Sequence, residues 1–532
     1  MTLLTSSIIV SINELFKFIL LILTLYTARF YFRYFTRKNK VPGPLPFPFF
    51  GTMPYSYIVG QYRFLNYCYE KYGTLFEIYV GDDLNTNREI YICKPELLEK
   101  IFSSSTKSNF LLRRPNNEGM NEFGFGKSGM VVNSDLSSWR RNRMLSVPLL
   151  MNAGFLKTQV HVIQELFQEM ENYWKLLHDK NDEKIILDFT SWMHRFALDV
   201  VITSSLGRSS YALKSFYNTF TQSDGTIEKN ENTSSIEYDS SDLLIRQVKS
   251  FFKALLFVKH PSWLRHTFLI YYNNFYLNEI KSLNNIIENF IKLRREEILL
   301  EIKNGKNVQE DRRDIMSLFL LKYSTITDEV IRSNLIEIFI GGNETVSSSI
   351  GFIMYYLCKY PHVKNQLIDE IDVILSSNIL REITFEDIEK FEYAEALIKE
   401  VTRLTPISPL IARSNVVEDE LGEYTFEAGT KFYAFMIQIY KNPEYFTNPE
   451  EFNPDRFLKG SEKISRFNTL LQFGSGLRMC PGRQSAMTVI KTFLMCFFRK
   501  YDVEFADENQ ELKISFDVSF HCGEYKIAIK KR

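Results

Sequence analysis

Phe473-Gly474-Ser475-Gly476-Leu477-Arg478-Met479-Cys480-Pro481-Gly482 is the most informative stretch of the chain. Its glycines strip side chains from the loop and leave room for a flat ligand against the Cys480 sulfur. Beyond it, Ala486, Val489, Ile490, Phe493, Leu494 and Phe497 fall on one apolar stripe, so an amphipathic helix is expected. Pro481 suits the first helical position, where its missing N–H costs nothing. Cys480 would then be the N-cap, where unpaired amides and the helix dipole favour thiolate over thiol. Arg478 supplies a cation beside it. A lone cysteine is ordinarily a buried core thiol, and Cys68, Cys93, Cys358, Cys496 and Cys522 are read that way. The setting of Cys480 reverses the reading.

The rest of the composition narrows the class. With 532 residues, 45% hydrophobic and 24% charged, the chain can bury a large core, which excludes a disordered or fibrous protein. Lys plus Arg and Asp plus Glu are 64 each, so no net field draws the molecule to nucleic acid. Six scattered cysteines without a CxxC pair exclude a disulfide framework and a zinc ribbon, and suit a reducing compartment.

The N-terminus is different. Ile8 to Ala28 is apolar apart from Asn13, Glu14 and Lys17, and the last two can pair at three-residue spacing. Basic residues Arg29, Arg33, Arg37, Lys38 and Lys40 follow the apolar run, which is the wrong order for a cleaved signal peptide. A spanning anchor over residues 1–40 with the body in the cytosol is expected, and an interfacial helix is the alternative. Val41-Pro42-Gly43-Pro44-Leu45-Pro46-Phe47-Pro48 opens an extended proline-rich hinge over 41–51.

From there to residue 532 no composition break appears, so one catalytic domain is expected. Residues 73–93 read as a hairpin around Gly81-Asp82-Asp83. Asp188–Leu206, Tyr272–Lys303 and Thr327–Tyr360 read as helices, the last ended by Pro361. The polar stretch 221–242 reads as a surface insertion. Strand patterns return over 423–436 and at the C-terminus.

F-x-x-G-x-R-x-C-x-G is the haem-ligand signature of the cytochrome P-450 superfamily. Phe473, Gly476, Arg478, Cys480 and Gly482 fill every fixed position, so the chain resembles that superfamily. Three further anchors in the right order extend the resemblance over essentially all of it from residue 41. Glu400-Val401-Thr402-Arg403 is similar to the family's E-x-x-R, and Phe452-Asn453-Pro454-Asp455-Arg456-Phe457 to its P-x-R-F element. The resemblance implies a structural triad of Glu400, Arg403 and Arg456. Gly341-Gly342-Asn343-Glu344-Thr345 is similar to the oxygen groove, where a locally widened helix carries an acid and a hydroxyl that deliver protons. Val346 departs from the second hydroxyl often found there. Trp139 and Arg143 match a W-x-x-x-R pair on a haem propionate, and Arg413 resembles a further propionate ligand.

The implied fold is mainly α with small β-sheets, a long central helix crossing the haem and an N-terminal membrane helix before it. The implied cofactor is haem b with Cys480 as axial thiolate. The implied reaction inserts one atom of dioxygen into a lipophilic substrate, with Glu344 and Thr345 relaying protons. Electrons would come from NADPH through a flavoprotein reductase, with cytochrome b5 as a further donor, at the endoplasmic reticulum. Arg140, Arg141, Arg499 and Lys500 are candidate basic contacts for the reductase. Two rivals are a haem-thiolate isomerase or dehydratase acting on a peroxide, whose members tend to lose the acid–threonine pair, and a non-catalytic haem-binding membrane protein.

Overall fold

The computed structural model describes residues 2–81, 88–113, 117–125, 128–178, 183–221, 235–305, 314–323, 325–376, 378–458, 472–516 and 519–532. Its internal contacts divide the chain into two units, Met1–Pro115 with Leu410–Phe435 and Asn116–Pro409 with Met436–Arg532. Helices dominate and the sheets are small, as expected.

The first unit begins with one helix, Thr2–Thr36. Its stretch Asn13–Thr36 is long and apolar enough to cross a membrane and is 6% buried. This stretch overlaps the expected Ile8–Ala28 run, and the helix continues past it through Arg29 and Arg33. Lys17 reaches Glu14 at 2.8 Å, so these two charges neutralise one another, while Arg29 and Arg33 lie towards the end of the stretch. Near its end the helix docks on the unit: Phe30 and Tyr34 are buried and Tyr34 meets Tyr79 edge-on at 5.8 Å. Arg37 follows, donating from Nε to Glu77 at 2.9 Å. The proline-rich hinge is therefore packed rather than free. The Pro42 carbonyl accepts from Glu77 N–H at 2.8 Å, and a Cβ on Gly43 would lie 2.1 Å from the Glu77 carbonyl oxygen. Only glycine lets the chain pass that close.

Leu75–Tyr79 and Arg88–Ile92 pair antiparallel, as the hairpin pattern predicts; the turn itself lies outside the described residues. Arg88–Ile92 then runs parallel to Lys431–Phe435, which pairs antiparallel with Leu410–Ser414. A distant piece of sequence thus completes the sheet.

In the second unit the three long helices lie where periodicity puts them: Phe189–Leu206, Ile270–Lys303 and Asp328–Lys359. The last, here called the central helix, starts after Thr327 and stops before Pro361, which cannot continue it. Most of the polar stretch 221–242 lies outside the described residues; from Ser235 the chain is already in a helix that runs to Phe257. The C-terminal pattern gives a short hairpin, Ile514–Phe516 with Phe520–Cys522, and the strand Lys526–Lys531 between Ile185–Asp188 and Tyr501–Phe505.

The helix after the cysteine loop, Arg483–Phe498, corrects the expected amphipathic stripe. From Thr488 to Phe498 every residue is buried, so this part of the helix is enclosed rather than half-exposed, while Arg483 and Gln484 at its start are exposed. Phe493 meets Phe167 at 5.8 Å and Phe497 meets Trp174 at 6.4 Å between ring centres. Each such phenylalanine contributes about 1.5–3 kcal/mol by leaving water.

Glu400 and Arg403, on the helix Glu392–Leu404, form a buried fork, with Nε–Oε2 at 2.8 Å and Nη2–Oε1 at 2.9 Å. Arg456 reaches the same Oε1 at 3.2 Å. The spare donors of Arg403 go to the carbonyls of Tyr440, Pro449 and Glu451, and Asn453 N–H also bonds Glu400. One carboxylate therefore pins the segment 440–456 to the helix. Removing its charge strands two guanidiniums, so Glu400→Gln should destabilise the protein by about 3–5 kcal/mol in urea unfolding, whereas a loss below about 1 kcal/mol would show the network to be dispensable.

Candidate active site

Two left-handed glycines shape the cysteine loop, with φ of 70° at Gly474 and 67° at Gly476. Cys480 N–H then donates to the Phe473 carbonyl at 2.8 Å, and Met479 N–H to the Gly476 carbonyl at 3.1 Å. The run closes on itself and presents Cys480 partly exposed at its end. Every other cysteine is buried. Burial pushes the thiols of Cys68, Cys358 and Cys496 up to about 12 and raises those of Cys93 and Cys522 as well. A sulfur needed as a thiolate is poorly served by any of those five.

The helix starts later than expected. Gly482 is its N-cap, accepting from Ala486 N–H at 2.8 Å, and Arg483 is the first helical residue. Pro481 and Gly482 turn the chain first, so Cys480 stands ahead of the free amides instead of capping them. A Cβ on Gly482 would find the Cys480 sulfur as its nearest neighbour, at 4.0 Å, so this glycine keeps the sulfur's flank clear.

Trp139 and Arg143 lie four residues apart on the helix Leu136–Leu150, whose N-terminus Asp135 caps by accepting from Ser137 and Ser138 N–H. Arg143 donates to the Met479 carbonyl at 2.7 Å. Arg478 is buried, its guanidinium 3.7 Å above the Trp139 ring and bonded to the Met130 and Asn133 carbonyls, both at 3.3 Å. The cation expected beside the sulfur is thus committed to a tryptophan face and two loop carbonyls. The same helix is tied to the central helix, because Asn334 donates to Asn142 at 2.6 Å and accepts from Ser146 at 3.0 Å. Glu337, one turn on, accepts from Val131 N–H at 2.8 Å and also from Met130 N–H. Arg413 lies in the first unit, in the strand Leu410–Ser414, buried and 4.8 Å over the Phe102 ring.

The central helix continues through Gly341 and Gly342 as one element. The two glycines have different uses. A Cβ on Gly342 would lie 2.7 Å from Val201 of the helix Phe189–Leu206, which makes it a packing notch. A Cβ on Gly341 would touch nothing within 4 Å, and Thr345, one turn on, is only partly buried. The Thr345 hydroxyl donates to the Gly341 carbonyl at 2.6 Å.

Glu344 is buried. Its Oε1 lies 2.8 Å from His521 Nδ1 and its Oε2 3.8 Å from His194 Nδ1. Burial alone would raise the Glu344 carboxyl; the His521 hydrogen bond and the neighbouring His194 and Lys249 outweigh it and hold the group below the usual carboxylate range. Burial also keeps the His194 imidazole below its ordinary value, against the pull of Glu344.

These residues fit a haem. Among the described residues the buried Trp139 Nε1–H has no acceptor, a state that costs about 1–3 kcal/mol unless a ligand oxygen such as a propionate supplies one. Among the described residues nothing lies within 4 Å of a Cβ built on Gly474 or Gly341, so neither glycine is closed off by a neighbouring side chain. Of the candidate basic contacts for a partner, Lys500 bonds Glu171 at 2.9 Å and Arg499 the Arg381 carbonyl at 2.7 Å. Arg140 and Arg141 remain exposed.

The family model "Cytochrome P450" matches residues 41–530. The chain is similar to "Cytochrome P450 3A18" of Rattus norvegicus, at 26% identity over 90% of each chain. It is also similar to "Lithocholate 6-beta-hydroxylase" of Mesocricetus auratus, at 24% identity over 89% of this chain and 87% of that one. "Probable cytochrome P450 4s3" of Drosophila melanogaster matches at 26% identity over 88% of each. The chain therefore belongs to the cytochrome P450 family, and it is a haem-thiolate monooxygenase in the broad sense that membership carries.

The folded-state values of both Glu344 and His194 lie below their ordinary values, 4.5 and 6.5, so folding favours their deprotonated forms. His194 should therefore stabilise the protein fully above about pH 6.5 and less as pH falls through and below that value. Urea midpoints measured at pH 7.5 and 5.5 should separate in wild type, and the gap should narrow in His194→Gln; an unchanged gap contradicts the burial argument.

Proposed function

We propose that this monooxygenase inserts one atom of dioxygen into a lipophilic organic substrate while anchored in the endoplasmic reticulum membrane, its body in the cytosol. Electrons reach it from NADPH through a flavoprotein reductase. The observation that carries this reading is the convergence on one loop: Cys480 is the one cysteine not sealed in the core, and beside its loop stands Trp139, whose buried N–H has no acceptor among the described residues.

Haem held by a cysteine thiolate would supply dioxygen binding and activation here. Cys480 is assigned as the ligand. The loop hydrogen bond to Phe473 and the conformation of Gly476 fix its direction, and Gly482 leaves its flank bare. Trp139 and Arg143 are assigned to a propionate, with charge-assisted bonds that suit a carboxylate. Arg478 holds the Trp139 ring in place from above. Arg413 carries a propionate role on its motif alone.

Thr345 and Glu344 are assigned to proton handling. The Thr345 hydroxyl sits on the open side of the central helix and holds its proton toward the Gly341 carbonyl, from which rotation about one bond frees it. Glu344, a buried carboxylate bonded to His521, is assigned as the relay group that takes up a proton before passing it on. The pair disfavours a peroxide isomerase, which needs no proton delivery.

The long apolar N-terminal helix supports membrane anchoring and, with it, a lipophilic substrate. A relative named for hydroxylating lithocholate supports hydroxylation as the reaction type. With reductase and NADPH, oxygen uptake should be tied to product. Thr345→Ala should keep the haem yet release peroxide, cutting product per NADPH by up to about 100-fold, the low end of what a lost proton-transfer group costs. Unchanged product per NADPH would remove Thr345 from the relay, and peroxide rearrangement without NADPH would favour the isomerase.

A further inference from the structure

Three separate elements meet at the acid of the central helix. Glu344 Oε1 is 2.8 Å from Nδ1 of His521, on the C-terminal strand Phe520–Cys522. His521 Nε2 in turn lies 3.3 Å from the Ser519 hydroxyl. On the other side His194, from the helix Phe189–Leu206, places Nδ1 3.8 Å from Oε2 and 3.0 Å from the Ser347 hydroxyl. Side-chain exposure rises outward, from 10% at Glu344 to 14% at His521 and 20% at His194. The chain has only seven histidines, so two on one carboxylate is a large share of them.

Successive helix positions point about 100° apart, so Glu344 and Thr345 leave the helix on different faces. Where the carboxylate rests is therefore decided by what it meets on its own face. His521 makes the short contact, and it is held there independently of Glu344. The next residue, Cys522, donates its N–H to Ser348 at 3.4 Å and packs against Gly351, where a Cβ would come within 3.0 Å of its sulfur. Tyr525 donates to the Gly351 carbonyl at 2.6 Å. The imidazole is thus presented by a strand already bolted to the central helix.

We propose that His521 is a positioning residue for oxygen activation: its Nδ1–H fixes one oxygen of Glu344 and so decides where the acid points and when it takes up a proton. The inference rests on the reading of Glu344 as the proton-carrying acid. Lys249, from the helix Ser235–Phe257, and His194 add positive or partly positive neighbours to the carboxylate, and Arg195 acts on His194. Without the His521 donor, burial dominates and the carboxyl protonates more readily.

The test uses the haem-loaded full chain with reductase in membranes, following product per NADPH across pH. In parallel, infrared titration follows the protonated-carboxyl band that vanishes in Glu344→Gln. In His521→Ala the band should appear at higher pH than in wild type, and the acid-side midpoint of coupling should move with it. His521→Asn, whose amide N–H can stand where Nδ1–H stood, should return both toward wild type. A band that titrates in His521→Ala as in wild type, or an asparagine variant as uncoupled as the alanine one, overturns the proposal. If Glu344→Gln keeps full product per NADPH while the band still moves in His521→Ala, the role given to Glu344 falls and the contact itself stands.

Discussion

The hydrogen bond from Cys480 N–H to the Phe473 carbonyl, 2.8 Å long, is the constraint on which the site depends. It turns a glycine-rich run that has no packing of its own into a closed loop with a single presented sulfur. Everything around it serves to keep that loop in place. Arg143 holds Met479 by its carbonyl, and Arg478 stacks on Trp139. The helix carrying Trp139 is in turn fastened to the central helix by Asn334 and Asn142. Behind the loop the helix Arg483–Phe498 is enclosed by aromatic rings, which makes a rigid mount. A site on rigid supports loses little precision to thermal motion.

The proton side is organised differently. The acid depends on two imidazoles from elements far away in sequence, and the hydroxyl depends on its own helix carbonyl. Buried polar groups of this kind are held by partners or not at all. The two adjacent glycines illustrate the same economy: Gly342 lets a neighbouring helix approach through Val201, while Gly341 leaves a face bare.

Much of this was legible in the sequence. Helices of strong period end where proline and capping residues end them, so the central helix was readable to within a residue at each end. The glycines around Cys480 and the three-residue spacing of Glu400 and Arg403 were equally plain, because local spacing decides which side chains share a face. What escaped is long-range. Nothing near position 344 announces His194 or His521, and nothing near position 130 announces Glu337. The N-cap misplacement at Cys480 arose because Pro481 fits a first helical position and also fits a turn before one, and Gly482 decided for the turn. The stripe on the last long helix was read too narrowly because threonine and lysine positions, buried here as Thr488, Lys491 and Thr492, look solvent-facing in a sequence.

Carbon monoxide added to the reduced, haem-loaded protein reads the bond that all of this serves. Wild type should give the strongly red-shifted absorption band that thiolate ligation produces, and Cys480→His should lose that band while Cys358→Ala and Cys496→Ala keep it. A wild-type band at the position of a histidine-ligated haem, or a thiolate band that survives Cys480→His, would contradict the account.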